Sequence, residues 1–249
     1  TEIYTLSLHD ALPICDTKII IQAKNFCYTF DRRTGLLQKM QFGERDYFNH
    51  PMELNIWRAP TDNDMYGKEE WKKAHYDAAY TRAYTTEVFR NQKGVFISGH
   101  LAVVADSVQK ILDVELTWQI TASGKITVVM NVKKDEEFPD LPRFGVRLFL
   151  DKRIEEAGYF GMGPQESYRD KHQSACHGLY HAKISDLHED YIKPQENGSH
   201  FDCDYVKLAS ESFGLTVVGE KPFSFNASRY TQRSEHTSEL QSPMYLVCR

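Results

Sequence analysis

Most of the features that assign a function at a glance are missing from this chain of 249 residues. It has no basic block. Its 30 Lys and Arg are scattered among 35 Asp and Glu, for a net charge of -5, so the electrostatic footprint of a nucleic-acid binder is absent. No apolar run approaches the roughly 20 residues that cross a bilayer as a helix. The five cysteines include no CxxC spacing, which argues against a metal knuckle or a dense disulfide framework and points to a reducing compartment. Internal repeats, low-complexity linkers and sustained helical periodicity are also lacking.

Period-two alternation is plentiful. In ILDVELTWQI, Leu112, Val114, Leu116, Trp118 and Ile120 fall on one side and Asp113, Glu115, Thr117 and Gln119 on the other. This pattern predicts a strand with one buried face. Ser123-Gly124 supplies a tight turn, and KITVVMNV returns as the hairpin partner. VFISGHLAVVA, RFGVRLFL, YVKLAS and FGLTVVG repeat the signal, while KIIIQA, FCYTF and LLQKMQF are short strands near the start, the last two joined by DRRTG. One segment, GKEEWKKAHYDAAY, predicts a helix with Trp71, Ala74, Ala78 and Ala79 on a stripe. Glu69 and Glu70 suit its dipole, and Asp64 or Asn63 is placed to cap it. With 41% hydrophobic and 12% aromatic residues, such a chain is expected to be all-β, a large antiparallel β-sandwich with one short helix.

The two ends read differently. Residues 1–14, TEIYTLSLHDALPI, and 233–249, RSEHTSELQSPMYLVCR, resemble translated sequencing adapters and are set aside from fold reasoning. The expectation is a fragment, with residues 15–232 forming one β-sandwich domain that is incomplete at its C-terminus.

ELNIWRAPTDND is the most pointed motif. Pro60 has no N–H and disfavours helix at Ala59, so the strand must end there. Asp62, Asn63 and Asp64 can fold their side chains onto nearby backbone N–H groups to fix a corner. The corner is the preferred reading over a loop that offers carboxylates to a sugar or cation; on that second reading Trp57, Arg58, Asp62 and Asp64 are the candidate substrate contacts. GMGPQESYRDK carries Glu166 and Asp170, and KPQENGSH carries Glu196. Retaining glycoside hydrolysis needs two carboxyl groups about 5–5.5 Å apart, but Gly161, Gly163 and Pro164 describe a tight loop holding Glu166 and Tyr168, and Asn197-Gly198 is a turn signal. His172, Cys176, His177, His181 and His188 match no zinc spacing; His177 and His181 are expected to share a face only on a helix. Trp57, Tyr159, Tyr168 and Tyr180 have the ring faces on which sugars stack, with core as the preferred reading. Asn197-Gly198-Ser199 and Asn226-Ala227-Ser228 fit the glycosylation pattern, a short motif that carries little weight by itself.

FCYTFDRRTGLLQKMQFGERDYFNHPMELNIWRAPTDND, followed in order by LPRFGVRLFL, YFGMGPQESYRDKHQSACHGLY, YIKPQENGSHFDCDYVKLA and FSFNASRY, resembles the small-chain domain of β-galactosidases in glycoside hydrolase family 2. The resemblance spans nearly everything between the adapter-like ends. It implies a galactose-mutarotase-like supersandwich and a parent that is a retaining β-galactosidase, cleaving terminal β-D-galactose from lactose-like substrates. It implies no catalytic residue here, because the glutamates of such enzymes lie in a preceding barrel. It also implies no metal ligand in this part, although parents often use magnesium and sodium. The implied partners are the catalytic barrel or large subunit and the galactoside, with no nucleic acid or membrane, in a homo-oligomeric parent. A bacterial cytoplasmic setting is expected, with an export signal left open. Two alternatives stand: a separately encoded non-catalytic small subunit, or a free carbohydrate-binding or mutarotase-like sandwich.

Overall fold

The computed structural model describes residues 2–5, 17–107, 109–193, 195–234, 237–240 and 243–247, and side chains through Tyr230 from Thr17 onward. Of the two adapter-like ends, residues 2–5, 233–234, 237–240 and 243–247 are among these. The chain divides into two compact units, residues 1–54 with 74–140 and residues 55–73 with 141–249.

In the first unit, β1 (Glu2–Thr5), β2 (Lys18–Gln22), β3 (Phe26–Asp31), β4 (Leu36–Phe42) and β5 (Arg45–Asp46) form a sheet in that order. The β1–β2 pair is parallel and the other pairs antiparallel. DRRTG makes the β3–β4 turn. Asp31 accepts from the backbone and guanidinium N–H groups of Arg33, and Gly35 takes φ +69°. An added Cβ at Gly35 would lie 2.6 Å from Leu101 Cδ2, so this turn needs glycine both for its left-handed backbone and for space.

β6 (Phe48–Asn55) leads out of this unit, and the chain returns as an antiparallel meander of β7 (Tyr80–Asn91), β8 (Gly94–Val104), β9 (Leu112–Ile120) and β10 (Ile126–Lys134). β9 follows its sequence pattern: Leu112, Val114, Leu116, Trp118 and Ile120 are all 0–3% exposed. Each such side chain contributes about 1.5–3 kcal/mol on burial. Trp118 adds a directional tie, donating its indole N–H to the Gly35 carbonyl at 2.9 Å with Phe30 edge-on at 5.3 Å.

In the second unit, strands β11 (Gly145–Leu150), β12 (Glu156–Gly163), β13 (Cys176–Lys183), β14 (Ser199–Ala209), β15 (Gly214–Ala227) and β18 (Pro243–Val247) join antiparallel in the order β13-β12-β14-β15-β18-β11. A separate pair is made by β16 (Tyr230–Ser234) and β17 (Thr237–Leu240). The core holds Tyr159, Val206, Leu208 and Phe225, each at most 1% exposed.

The all-β expectation with one short helix is met. Three local expectations are corrected. The helix α1 covers only Gly67–Lys73. It ends because His75 takes a left-handed backbone (φ 57°), after which Tyr76–Ala78 form a 3-10 turn. The buried positions are Trp71, Ala74 and Tyr76, while Ala78 is exposed; Tyr76 donates to the Pro139 carbonyl at 2.7 Å and stacks on Phe138. Gly161 and Gly163 lie within β12, not in a loop. His177 and His181 lie on β13, where positions four apart also share a face. Among the described residues no helix is long and apolar enough to cross a membrane.

Candidate functional site

The corner motif opens the second unit. Asn55 donates its side-chain amide to the Trp57 carbonyl at 2.8 Å and accepts from the Trp57 N–H at 3.3 Å, closing a local ring that ends the extended run. Past Pro60, Asp64 gathers the chain. Its Oδ2 accepts from the Thr61 backbone N–H at 2.9 Å and from the Thr61 hydroxyl at 3.0 Å, and its Oδ1 accepts from Arg58 Nη2 at 2.7 Å. The Asp64 N–H donates to the Thr61 carbonyl at 3.0 Å, which makes Asp62–Asp64 a single 3-10 turn. Asp64 therefore pins the corner and is not the cap of α1. The Arg58 guanidinium sits 5.9 Å from the Trp71 ring centroid, and Trp57 meets Trp71 edge to face at 6.4 Å. Trp57 is buried, so its ring is not available to a sugar. Asp62 and Asn63 are exposed and carry no side-chain hydrogen bond among the described residues.

Sequence spacing gives no hint that this corner shares a groove with both glutamate motifs. Arg58, Asp62, Asp64, Glu166, Lys171 and Glu196 are among the residues lining a polar groove of about 180 Å³. Glu166 enters from the segment after β12, which turns at a cis Gly163–Pro164 bond. Its Oε1 accepts from Lys171 Nζ at 2.7 Å and from the Tyr191 hydroxyl; its Oε2 accepts from the Gly198 N–H at 2.9 Å and the Tyr168 hydroxyl at 3.3 Å. Burial by itself would push this carboxyl up, but the donors from Lys171, Tyr191 and Gly198 outweigh it and hold its pKa below the usual value. Gly198 is required where it stands: its φ is +70°, and a Cβ there would lie 2.4 Å from the Leu187 carbonyl oxygen.

Glu196 is as firmly held. Its carboxylate pairs with Arg143 Nη2, with side-chain exposures of 5% and 7%, and also accepts from the Asn226 amide at 3.3 Å. Asn226 in turn donates to the Asn197 carbonyl. The Glu196 N–H donates to the Ala59 carbonyl at 3.4 Å, joining this wall to the corner.

The chemistry open to this arrangement is narrow. A general acid needs a raised pKa so that it keeps its proton near neutrality, whereas Glu166 is held ionised. A carboxylate nucleophile needs free approach to carbon, whereas Glu196 is buried in an ion pair. No three His, Cys, Asp or Glu among the described residues are arranged to hold a metal, and Glu166, Glu196 and Asp64 are each paired with a Lys or Arg side chain. The histidine cluster disperses: His177 bonds the Asp202 carbonyl, His181 approaches Glu156, and His172 contacts the Tyr168 carbonyl. Arg143, Lys171 and Tyr191, which fix the state of the two glutamates, carry no recognisable sequence signal.

The family model for the β-galactosidase small chain matches residues 22–248. The chain belongs to that family. This small chain is 41% identical over 234 residues to the β-galactosidase of Actinobacillus pleuropneumoniae, covering 92% of itself and 23% of that protein. It is 32% identical over 240 residues to the enzyme of Vibrio cholerae serotype O1 (90% and 23%) and 31% over 208 residues to that of Staphylococcus xylosus (84% and 21%). The small chain thus spans less than a quarter of the length of these relatives. Among solved structures it is similar to a galactose mutarotase-like protein from Lactobacillus casei ATCC 334, at 13% identity and TM-score 0.46, over 92% of this chain and 86% of that one.

In this small chain the corner residues separate by role. Asp64→Ala removes the acceptor of a charge-assisted bond and of the turn, and is expected to cost about 1.5–3 kcal/mol. Asp62→Ala is expected to stay within about 0.5 kcal/mol. Urea midpoints of the two variants check the split; equal costs would contradict it.

Proposed function

We propose that this chain is the small-chain part of a retaining β-galactosidase and that its role is architectural: it scaffolds the catalytic barrel and helps shape the wall of the galactoside pocket. The observation that carries this reading is a close match over 92% of the chain to less than a quarter of a β-galactosidase, joined to a groove whose two buried glutamates are both committed to cations. The parent reaction would pass through a galactosyl-enzyme formed on one glutamate and released by water, with both reacting carboxylates outside this chain. Any magnesium or sodium of the parent is held outside it as well. The larger enzyme is a homo-oligomer working on lactose-like galactosides in a bacterial cytoplasm.

The purified chain is expected to show no turnover of a chromogenic β-galactoside above the buffer rate. Turnover that survives repurification and is lost on Glu166→Gln or Glu196→Gln would overturn the reading.

A further inference from the structure

The two outer strands of the β7–β10 sheet are finished very differently. β7 carries Arg82, Glu87 and Arg90 along its length, and the β3–β4 turn covers its outer side. There the Ala83 N–H donates to the Arg33 carbonyl at 2.7 Å, the Thr86 hydroxyl to the Arg32 carbonyl at 3.0 Å, and Arg32 Nη1 to the Thr86 carbonyl at 3.2 Å. Charges and covering loops are how proteins keep sheet edges from pairing further. β10 carries charge only at its end, at Lys133 and Lys134, and none of the turn hydrogen bonds among the described residues reaches its outer side. Ile126–Val132, ITVVMNV, is seven residues without charge, proline or glycine, and among the described residues its outer row of backbone groups pairs with nothing.

The apolar layer also stops short at β10. Val128 and Val132 face the same way as Trp118 and Val114, their partners on β9. Those β9 residues are 3% and 0% exposed, while Val128 and Val132 are 40% and 38% exposed. Val129, on the opposite face, is 53% exposed. An open edge specifies an extended strand as its occupant, because only a strand offers a matching row of N–H and C=O groups.

We infer that β10 pairs antiparallel with β10 of a second copy of this chain, about a two-fold axis at Met130. The strand is self-complementary in this register. Val128 faces Val132 of the second copy, Val129 faces Asn131, Thr127 faces Lys133, and Lys125 comes opposite Asp135, so both ends of the strand pair join opposite charges. The pairing runs two four-stranded sheets into one of eight strands and extends the Val128–Met130–Val132 strip across the junction. Apolar cross-strand neighbours of this kind and opposite charges at facing positions each favour the paired state. The contact is small, so the dimer is weak and concentration-dependent. It rests on the edge of this sheet alone and is independent of the groove's chemistry.

Sedimentation velocity of the intact chain across a concentration series tests it. The expected result is a rise from monomer to twice the monomer mass. Met130→Lys puts like charges opposite each other on the axis and is expected to abolish that rise while the circular dichroism melt stays cooperative. Met130→Cys, should the lysine variant not fold, is expected to form an intermolecular disulfide between the two copies of the peptide containing residue 130. Monomer at every concentration, a dimer that persists in Met130→Lys, or no residue-130 crosslink under oxidation would each overturn the inference.

Discussion

Replacing Arg143 by Met is expected to cost the second unit about 3–5 kcal/mol, the range for stripping one partner from a buried ion pair. For a chain of this size that is a fall in Tm of roughly 6–20 °C. Arg143 and Glu196 are 7% and 5% exposed, so after the substitution the carboxylate stays in a site from which water is largely excluded. Among the described residues Asn226 is its remaining side-chain donor, and a neutral amide does not offset an uncompensated buried charge. The loss would spread, because the Glu196 backbone ties this segment to Ala59 and Asn226 holds the Asn197 carbonyl. Replacing both partners, as Arg143→Met with Glu196→Leu, removes the stranded charge and is expected to recover a substantial part of the loss. Denaturant midpoints for the single and double variants check this. A single variant within about 0.5 kcal/mol of the parent chain would show that the pair is not buried as described.

Acid is expected to weaken the second unit by about 3 kcal/mol as the pH falls from about 6.5 to about 4. His200 is 1% exposed, with its ring against Tyr159 at 4.5 Å and Phe225 at 5.2 Å. Burial disfavours the imidazolium and lowers its pKa from 6.5 to about 4; the Met162 carbonyl and the charge of Glu166 oppose this shift but do not cancel it. The folded state therefore prefers neutral His200. The stability this gives is fully present above about pH 6.5 and is lost as the pH falls through about 4. At about 1.4 kcal/mol per pH unit the difference amounts to about 3 kcal/mol. Glu166 acts in the same direction at lower pH: its lowered pKa adds stability above the unfolded carboxylate's pKa that disappears as the pH falls through the folded one. Urea midpoints measured down the pH scale should drop across this window, and His200→Phe, which keeps an aromatic ring in the stack, should flatten the upper part of the fall. An NMR titration placing His200 near pH 6.5 in the folded chain would contradict the account.

Sequence pattern carried the meander well because its physics is local. Alternation along β9 marks the buried face directly, and Gly124 (φ 85°) makes the turn into β10 where Ser123-Gly124 predicts it. Pattern failed where a residue's usual meaning was overruled. Gly161 and Gly163 punctuate most chains, yet here they sit in β12: a Cβ at Gly161 would lie 2.2 Å from Cys203 Sγ, and one at Gly163 2.4 Å from the Tyr159 hydroxyl. The helical stripe through Ala78 and Ala79 was lost because one left-handed residue, His75, breaks the period. β7 has no sequence signature, because most of its residues face solvent and no apolar period marks it. The pinned corner was legible from Pro60 and the Asx residues. Its company was not, since the donors that fix Glu166 come from positions 5, 25 and 32 residues away, and nothing in the spacing forecasts their approach.

The central claim is that the carboxylates gathered in this groove hold the fold and do no chemistry on sugar. Exposing the native chain to a 2-fluoro-galactosyl fluoride, which traps a retaining nucleophile as a stable ester, and weighing the intact protein tests it most directly. An unchanged mass is expected. A single 2-deoxy-2-fluorogalactosyl ester on Glu166 or Glu196, formed with loss of the anomeric fluoride, would contradict it.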